Sequence, residues 1–229
     1  MPERIKVYPS LLAGDCGRLE AEARKAEAAG GDGLHIDIMD GHFVPNLSMG
    51  PNVVQMARRC VRLPLSVHLM LTNPQEHIEP FIAAGADILL IHIEIASESE
   101  IREMLNRIRA RGVRAGITLS PETPPDAVFG VLDAADEALC MTVHPGYGGQ
   151  AFIPDVLSKI HRLRQQAERA GQGLDISVDG GIDQETAPAA AAAGANVLIA
   201  GTSLYGAADM KAALARLRAA AEQAAESAG

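Results

Sequence analysis

The chain has 229 residues, of which 48% are apolar and 3% aromatic, so it is long enough for one aliphatic α/β domain of barrel size or for two small domains. Its formal net charge of −9 repels phosphate backbones, and we therefore expect no nucleic-acid partner. The chain shows no N-terminal signal segment, no apolar run long enough to cross a bilayer and no CxxC pair, which predicts a cytoplasmic protein with reduced thiols and no membrane contact.

Alanine-rich segments that end in a glycine recur along the chain. Gly30, Gly85 and Gly194 each follow such a segment, and each is followed closely by a short apolar run. A glycine in this place can take the left-handed conformation that ends a helix. The intervals between these glycines are multiples of about 27 residues, which is the length of one strand-plus-helix unit of a (β/α)8 barrel.

Eight apolar runs alternate with helical stretches in this pattern. The predicted strands cover 5–9, 34–38, 65–70, 88–92, 113–119, 138–143, 174–178 and 196–200, and the predicted helices include Arg18–Ala29, Glu100–Ala110, Pro154–Ala170 and a last helix from Asp209 to about Ser227. The strands are continuous apolar runs, as in a parallel sheet covered by helices. We therefore predict an α/β protein with a single (β/α)8 TIM-barrel domain over residues 1–229. An open doubly wound sheet also fits the alternation, but no GxGxxG follows the first strand, and polar residues end many strands.

Polar side chains end the second, third and seventh predicted strands. His35 and Asp37 share one face of the second strand because side chains alternate along a strand. His68 ends the third strand and Asp179 follows the seventh. Each of these residues alone would more often be a hydrogen-bonded core residue or a solvated carboxylate, but a charge that points into a barrel is costly unless it is neutralised. Their convergence indicates a metal site that would suit Zn²⁺, Fe²⁺, Mn²⁺ or Co²⁺ without choosing among them.

Glycine-rich turns follow the sixth, seventh and eighth predicted strands. They contain Gly146, Tyr147, Gly148, Gly149, Gly180, Gly181, Gly201 and Thr202. Most such turns only bend the chain, but three of them side by side at the carboxyl face of a barrel indicate a phosphate site built from backbone N–H groups.

Methionines and one further histidine also end strands at the predicted mouth. Met39, Met70 and Met141 are expected either to fill the core or to form an apolar collar around the reacting carbon. We interpret His92, at the end of the fourth strand, and the neighbouring Glu94 as packing or rim residues.

Five strings, in order over nearly the whole chain, resemble the ribulose-phosphate 3-epimerase family. They are YPSLL at 8–12, HIDIMDGHFVPN at 35–46, VHLM at 67–70, MTVHPGYGGQ at 141–150 and VDGG at 178–181. The resemblance implies an isomerase that interconverts D-ribulose 5-phosphate and D-xylulose 5-phosphate. It also implies that His35, Asp37, His68 and Asp179 hold one catalytic divalent metal ion.

The resemblance further implies roles for single residues. Asp37 would accept the proton of D-ribulose 5-phosphate, and Asp179 would return one to the opposite face. Ser10 and His68 would contact the substrate, and the glycine turns would hold its phosphate. The chain departs from the family pattern at His144, where Asn is usual, at Tyr147, where Phe is usual, and at Thr202, where Ser is common. His144 borders the predicted substrate loop, so this substitution bears on which size of substrate the site accepts.

Three alternatives stay open at this stage. A 3-epimerase of a ketohexose phosphate, such as D-allulose 6-phosphate, would use the same metal and carboxylates. A decarboxylase or isomerase on a similar barrel would not need two opposed carboxylates and two imidazoles. A non-catalytic sugar-phosphate sensor would have lost a ligand or an acid–base residue, and none is lost here. The expected partner is a small phosphorylated sugar, and the sequence leaves open whether, and with how many subunits, the chain forms a homo-oligomer.

Overall fold

Eight parallel strands form a barrel in the computed structural model, which describes residues 4–228. Neighbouring strands pair in the order β1-β8-β7-β6-β5-β4-β3-β2. A parallel bridge between Ser10 and His35 links the end of the first strand to the second. This arrangement confirms the predicted (β/α)8 barrel and excludes the open doubly wound sheet. Residues 1–3 and 229 of the predicted domain lie outside the described residues.

The observed elements lie close to the predicted ones. The strands are β1 (Lys6–Pro9), β2 (Leu34–Met39), β3 (Leu65–Met70), β4 (Ile88–His92), β5 (Arg114–Leu119), β6 (Glu137–Met141), β7 (Asp175–Asp179) and β8 (Val197–Ala200). The helices are α1 (Leu19–Ala28), α2 (Pro51–Cys60), α3 (Ile78–Ala84), α4 (Glu98–Ala110), α5 (Val156–Arg169), α6 (Ala187–Ala192), α7 (Thr202–Tyr205) and α8 (Met210–Ala228). The main difference is β6, which begins one residue earlier and ends two residues earlier than predicted.

Two apolar layers hold the barrel together. Outward-facing residues of the strands, such as Ile36, Val67 and Ile176, pack against the helices in one continuous core. Inward-facing residues, such as Leu90 and Leu139, form a second cluster inside the barrel. Because side chains alternate along each strand, the inward set also carries the polar residues that reach the mouth.

The predicted glycine helix ends are present. Gly85 ends α3 with a φ of 104°, and Gly194 follows α6 with a φ of 112°. A Cβ at Gly85 would lie 2.7 Å from the side chain of Arg58. Both the left-handed conformation and the close approach of a neighbouring chain therefore require glycine here.

Charged residues lie at the amino-terminal end of the barrel interior. Lys6 and Arg114 both donate to the Asp175 carboxylate, at 2.8 and 2.6 Å. Burial raises the pKa of Asp175, but the hydrogen bonds from these two cations outweigh it and leave the pKa below its usual value. Glu137 is fully buried beside them, with Arg114 at 4.0 Å. Within the described residues neither of its carboxylate oxygens has a hydrogen-bond partner, and burial raises the pKa of Glu137.

Glu137 should therefore make the stability of the fold depend on pH. Because its pKa is higher in the folded than in the unfolded chain, its contribution is fully present below about pH 4.5 and is lost as the pH rises. Relative to Glu137→Gln, the wild-type free energy of unfolding should fall as the pH rises above about 4.5, by at most about 1.4 kcal/mol per pH unit. Urea unfolding of both metal-free proteins at several pH values measures this difference. Parallel curves for the two proteins would contradict it.

Candidate active site

Four of the predicted residues meet at the carboxyl end of the barrel. The register of β2 and β3 pairs Asp37 with His68. The Asp37 Oδ1 atom lies 3.3 Å from His35 Nε2 and 3.2 Å from His68 Nδ1. Asp179, the last residue of β7, approaches from the other side, with Oδ2 3.9 Å from His35 Nε2. One ligand atom from each of the four residues lies within 4.8 Å of the others.

This cluster has the composition of a metal site. His35 and His68 are fully buried, and Asp37 is 3% exposed. The His35 Nε2 atom is buried without a hydrogen-bond partner among the described residues, although it faces two carboxylates. Two imidazole nitrogens and two carboxylate oxygens form a donor set that suits divalent first-row transition metals. The group could therefore hold one such ion.

Neighbouring hydroxyl groups orient the residues of this cluster. Ser66 Oγ lies 3.2 Å from His35 Nδ1. Ser10 Oγ donates to Asp37 Oδ2 at 2.8 Å, and Ser48 Oγ donates to the Asp37 carbonyl at 2.6 Å. Ligand orientation by such outer contacts is typical of built metal sites.

A threonine fixes the end of β7. Thr142 Oγ1 donates to the carbonyl oxygens of Asp179 and Gly180, at 2.8 and 2.6 Å. The sequence places Thr142 inside the sixth strand, but in the structure β6 ends at Met141. Thr142 therefore contacts the chain that carries Asp179.

The sequence pattern also misses the contacts of His92 and Glu94, which it presents as packing or rim residues. His92 is fully buried, with Nε2 2.9 Å from His68 Nε2. Its Nδ1 lies 2.8 Å from Glu94 Oε2. One signal could have found them: the spacing of His92 and Glu94 repeats the histidine-x-acid spacing of His35 and Asp37 at the end of a strand.

The two carboxylates of the cluster have pKa values shifted in opposite directions. Burial raises the pKa of Asp37, but the charge of His35 and the hydrogen bond from His68 outweigh it and hold this pKa well below its usual range. Burial and the neighbouring Asp37 carboxylate raise the pKa of Asp179 to about 7. Burial also lowers the pKa of His68 to about 4, so its imidazole is neutral at neutral pH. Such a split separates a base from an acid within one site.

A cavity of about 630 Å³ opens above the cluster, a size suited to a small ligand. Of the substrate-contact residues predicted from the sequence, only His68 does not line this cavity, because it is fully buried. The others all line it: Ser10, Met39, Met70, Met141, Gly146, Tyr147, Gly148, Gly149, Gly180, Gly181, Gly201 and Thr202. Asp37 and Asp179 form part of the same wall. Within the described chain no lysine or arginine lines this cavity.

The glycine turns present backbone groups to the cavity. Gly149, Gly180 and Gly181 have φ values of 76°, 112° and 64°. A Cβ at Gly181 would lie 2.5 Å from the backbone nitrogen of Phe152, so only glycine fits there. Among the described residues the N–H groups of these three glycines donate to no protein acceptor. They are available to an anion.

Two loops meet across the mouth. Asn46 Nδ2 donates to the Gly146 carbonyl at 2.8 Å, and the Tyr147 hydroxyl donates to the Pro45 carbonyl at 2.7 Å. His144 lies at the rim, with Nδ1 2.8 Å from Glu122 Oε1, and both of these side chains are 65% exposed. The two residues that depart most from the family pattern therefore lie at the entrance, away from the buried cluster.

Comparisons with known proteins identify the family of the chain. The model of the ribulose-phosphate 3 epimerase family matches residues 6–205. The ribulose-phosphate 3-epimerase of Bacillus subtilis is 45% identical over 93% of this chain and 98% of its own length. The cytoplasmic isoform of the rice enzyme is 43% identical over 93% of this chain and 92% of its own length.

Solved structures extend the likeness at the level of the fold. A 3-hexulose-6-phosphate synthase from Salmonella typhimurium superposes with a TM-score of 0.71 at 18% identity, covering 96% of this chain and 100% of that one. A 3-keto-L-gulonate-6-phosphate decarboxylase from Vibrio cholerae gives 0.70 at 16% identity, covering 96% and 98%. Between residues 4 and 228 no helix has the length and apolar character needed to span a membrane.

The metal site yields a binding prediction. After dialysis against a chelator, we expect the wild type to bind one Zn²⁺ or Co²⁺ per chain, and His35→Ala to bind at least about 100-fold more weakly. His161→Ala is the matched control, because His161 lies exposed on α5 and contacts Gln165. Calorimetric titration with elemental analysis measures both affinity and stoichiometry. Wild-type affinity in His35→Ala, with a native circular dichroism spectrum, would contradict the assignment.

Proposed function

The chain belongs to the ribulose-phosphate 3-epimerase family and is an enzyme of that activity, and we propose that it interconverts D-ribulose 5-phosphate and D-xylulose 5-phosphate by proton transfer at carbon 3. The observation that supports this mechanism is the pair of carboxylates, Asp37 and Asp179, at the floor of one cavity with pKa values shifted in opposite directions. Inversion of a stereocentre needs one group that takes a proton and another that returns one to the opposite face.

We propose that His35, Asp37, His68 and Asp179 hold one divalent metal ion, with Zn²⁺, Fe²⁺, Mn²⁺ and Co²⁺ as the candidates. When bound, the ion supplies positive charge next to the substrate oxygen on which negative charge builds during deprotonation.

The acid–base roles follow from the charge states of the carboxylates. Asp37, held ionised by its imidazole neighbours, is the proposed acceptor of the carbon 3 proton of D-ribulose 5-phosphate. Asp179, with a pKa near neutrality, is the proposed donor to the opposite face. The roles exchange when D-xylulose 5-phosphate is the substrate, because the reverse reaction passes through the same steps.

The phosphate end of the substrate is proposed to lie against the glycine turns after β6, β7 and β8. The N–H groups of Gly149, Gly180 and Gly181 are available there. Since the cavity lining carries no lysine or arginine within the described chain, backbone dipoles must provide most of the attraction. Met39, Met70 and Met141 line the same cavity. We propose that they exclude water from the reacting carbon.

A 3-epimerase of a ketohexose phosphate is the second candidate, and the observation that favours it is His144 at the rim of the cavity. The metal and the carboxylates would be the same, and only the contacts beyond the reacting carbons would differ. A cytoplasmic location, as in the rice isoform, and self-association into a homo-oligomer also remain proposals.

Isotope exchange distinguishes the proposed roles of Asp37 and Asp179. In deuterated water, with D-ribulose 5-phosphate as substrate, Asp179→Asn should form xylulose product at least about 1000-fold more slowly. It should nevertheless exchange the carbon 3 hydrogen for deuterium, since Asp37 remains. Asp37→Asn should lose this exchange. With D-xylulose 5-phosphate as substrate, Asp37→Asn should retain the hydrogen exchange and Asp179→Asn should lose it. Mass spectrometry of recovered substrate measures the exchange.

The metal content of each exchange variant must be measured, because both carboxylates are also proposed ligands. Near-normal turnover by metal-loaded Asp179→Asn would contradict its role as an acid.

A comparison of substrates tests the specificity. We expect kcat/KM for D-ribulose 5-phosphate to exceed that for D-allulose 6-phosphate in the metal-loaded wild type, and His144→Asn to change this ratio by less than about 10-fold, because His144 lies exposed at the rim. A preference for the hexose phosphate would transfer the assignment to the second candidate. If His144→Asn then restored the pentose preference, His144 would be the cause.

A further inference from the structure

The turn that carries Gly149 has no backbone support of its own. In the described part of the chain, residues 144–150, the mouth loop, form no backbone–backbone hydrogen bond. Gln150 Nε2 donates to the carbonyls of His144 and Tyr147, at 2.7 and 2.9 Å, which ties the loop to itself. The place of the mouth loop at the cavity therefore depends on side-chain contacts with the rest of the barrel.

Three polar side-chain contacts join the mouth loop to other parts of the described chain. The Tyr147 hydroxyl donates to the Pro45 carbonyl at 2.7 Å, and Asn46 Nδ2 donates to the Gly146 carbonyl at 2.8 Å. The third contact is the ion pair of His144, whose side chain is 65% exposed. An ion pair this exposed contributes little, because water screens it. The two hydrogen bonds to the Pro45–Asn46 segment are therefore the main connection of the loop.

The segment that accepts the Tyr147 hydroxyl is itself fixed on β2. Ser48 Oγ donates to the Asp37 carbonyl at 2.6 Å and accepts from the Met39 N–H at 3.0 Å. The Pro45 carbonyl thus belongs to a segment bound to a central strand. Tyr147 is 54% exposed, so the hydrogen bond of its hydroxyl, rather than burial of its ring, fixes its direction.

The phosphate site proposed above depends on this connection. Gly180 and Gly181 follow β7 directly, whereas Gly149 lies on the mouth loop. A Cβ at Gly149 would lie 3.8 Å from Thr202 Cγ2, so the mouth loop reaches across to the turn after β8. The N–H of Gly149 can therefore complete the anion site only while the loop is held in this place.

We propose that Tyr147 is a positioning residue whose hydroxyl, through the Pro45 carbonyl, holds the mouth loop where the Gly149 N–H completes the phosphate site. The proposal rests on the proposed function for the identity of the substrate. It concerns binding and not proton transfer, because Asp37 and Asp179 lie at the floor of the cavity. The phenylalanine that is usual in the family has the same ring without the donor, so this connection is a property of the present chain.

Tyr147→Phe removes the hydroxyl and keeps the ring. In the metal-loaded enzyme we expect the KM for D-ribulose 5-phosphate to rise about 3-fold to about 10-fold, which corresponds to the loss of one hydrogen bond. The kcat should change by less than about 2-fold, because the variant weakens binding of a part of the substrate that does not react. A fall in kcat with an unchanged KM would overturn the proposal.

Methyl phosphate tests the same connection without turnover. Phosphorus-31 NMR titration of the zinc-loaded protein measures its dissociation constant, which should rise in Tyr147→Phe by the same factor as KM, while the affinity for Zn²⁺ stays unchanged. Unchanged binding of methyl phosphate by Tyr147→Phe would overturn the proposal. If the wild type turned over no ribulose phosphate but methyl phosphate behaved as expected, the proposed function would fail and the role of Tyr147 would stand.

Two further variants separate this role from other effects of the substitution. Tyr205→Phe is the matched control, because the Tyr205 hydroxyl has no hydrogen-bond partner among the described residues; it should leave KM and methyl phosphate binding unchanged. Asn46→Ala removes the second hydrogen bond to the mouth loop and should raise both values, as Tyr147→Phe does. If only Tyr147→Phe raised them, the hydroxyl would act on the ligand directly and not through the loop, which would overturn the proposal.

Discussion

A buried negative charge at Asp37 is the constraint on which the site depends. The β2–β3 register brings this carboxylate to His68, and strand alternation brings it to His35. A carboxylate that is 3% exposed is stable only if hydrogen bonds and positive charge compensate for lost hydration. Ser10 and the two imidazoles provide part of that compensation, and a cation between the four ligands would provide the remainder. A bound cation would therefore allow the fold to tolerate the buried charge of Asp37.

The negative charge of Asp37 also affects the pKa of Asp179. Asp179 lies in the field of Asp37, and the energy of placing two carboxylates together in a buried site raises the pKa of the second. Two identical side chains thereby acquire different protonation states from their surroundings alone. Two imidazole nitrogens lie 3.3 and 3.2 Å from Asp37, whereas among the described imidazoles only that of His35 lies within 4.0 Å of Asp179, at 3.9 Å. Burial and the charge of Asp37 outweigh this single contact and leave the higher pKa on Asp179.

The sequence predicts the barrel and the four-residue cluster because both are local patterns: glycine after alanine-rich helices, and alternating polar residues at strand ends. It does not predict the further contacts of these residues, which depend on the stagger between neighbouring strands. His92 meets His68 only through the β3–β4 register and the stagger of the barrel, and the sequence carries neither. Glu137 shows a related limit. A glutamate before an apolar run is expected to be exposed at the boundary of a strand, yet Glu137 is the first residue of β6 and is fully buried.

The absence of lysine and arginine from the described cavity lining fits the acid role proposed for Asp179. A basic side chain flexible enough to reach a phosphate could also reach Asp179. Such an ion pair would lower the pKa of Asp179 and remove the proton that the proposed acid must carry. Backbone N–H groups at Gly149, Gly180 and Gly181 attract an anion without a mobile positive charge, and their positions are fixed by left-handed φ values. Glycine turns would thus allow one cavity both to bind a phosphate and to retain the protonated carboxylate of the proposed mechanism.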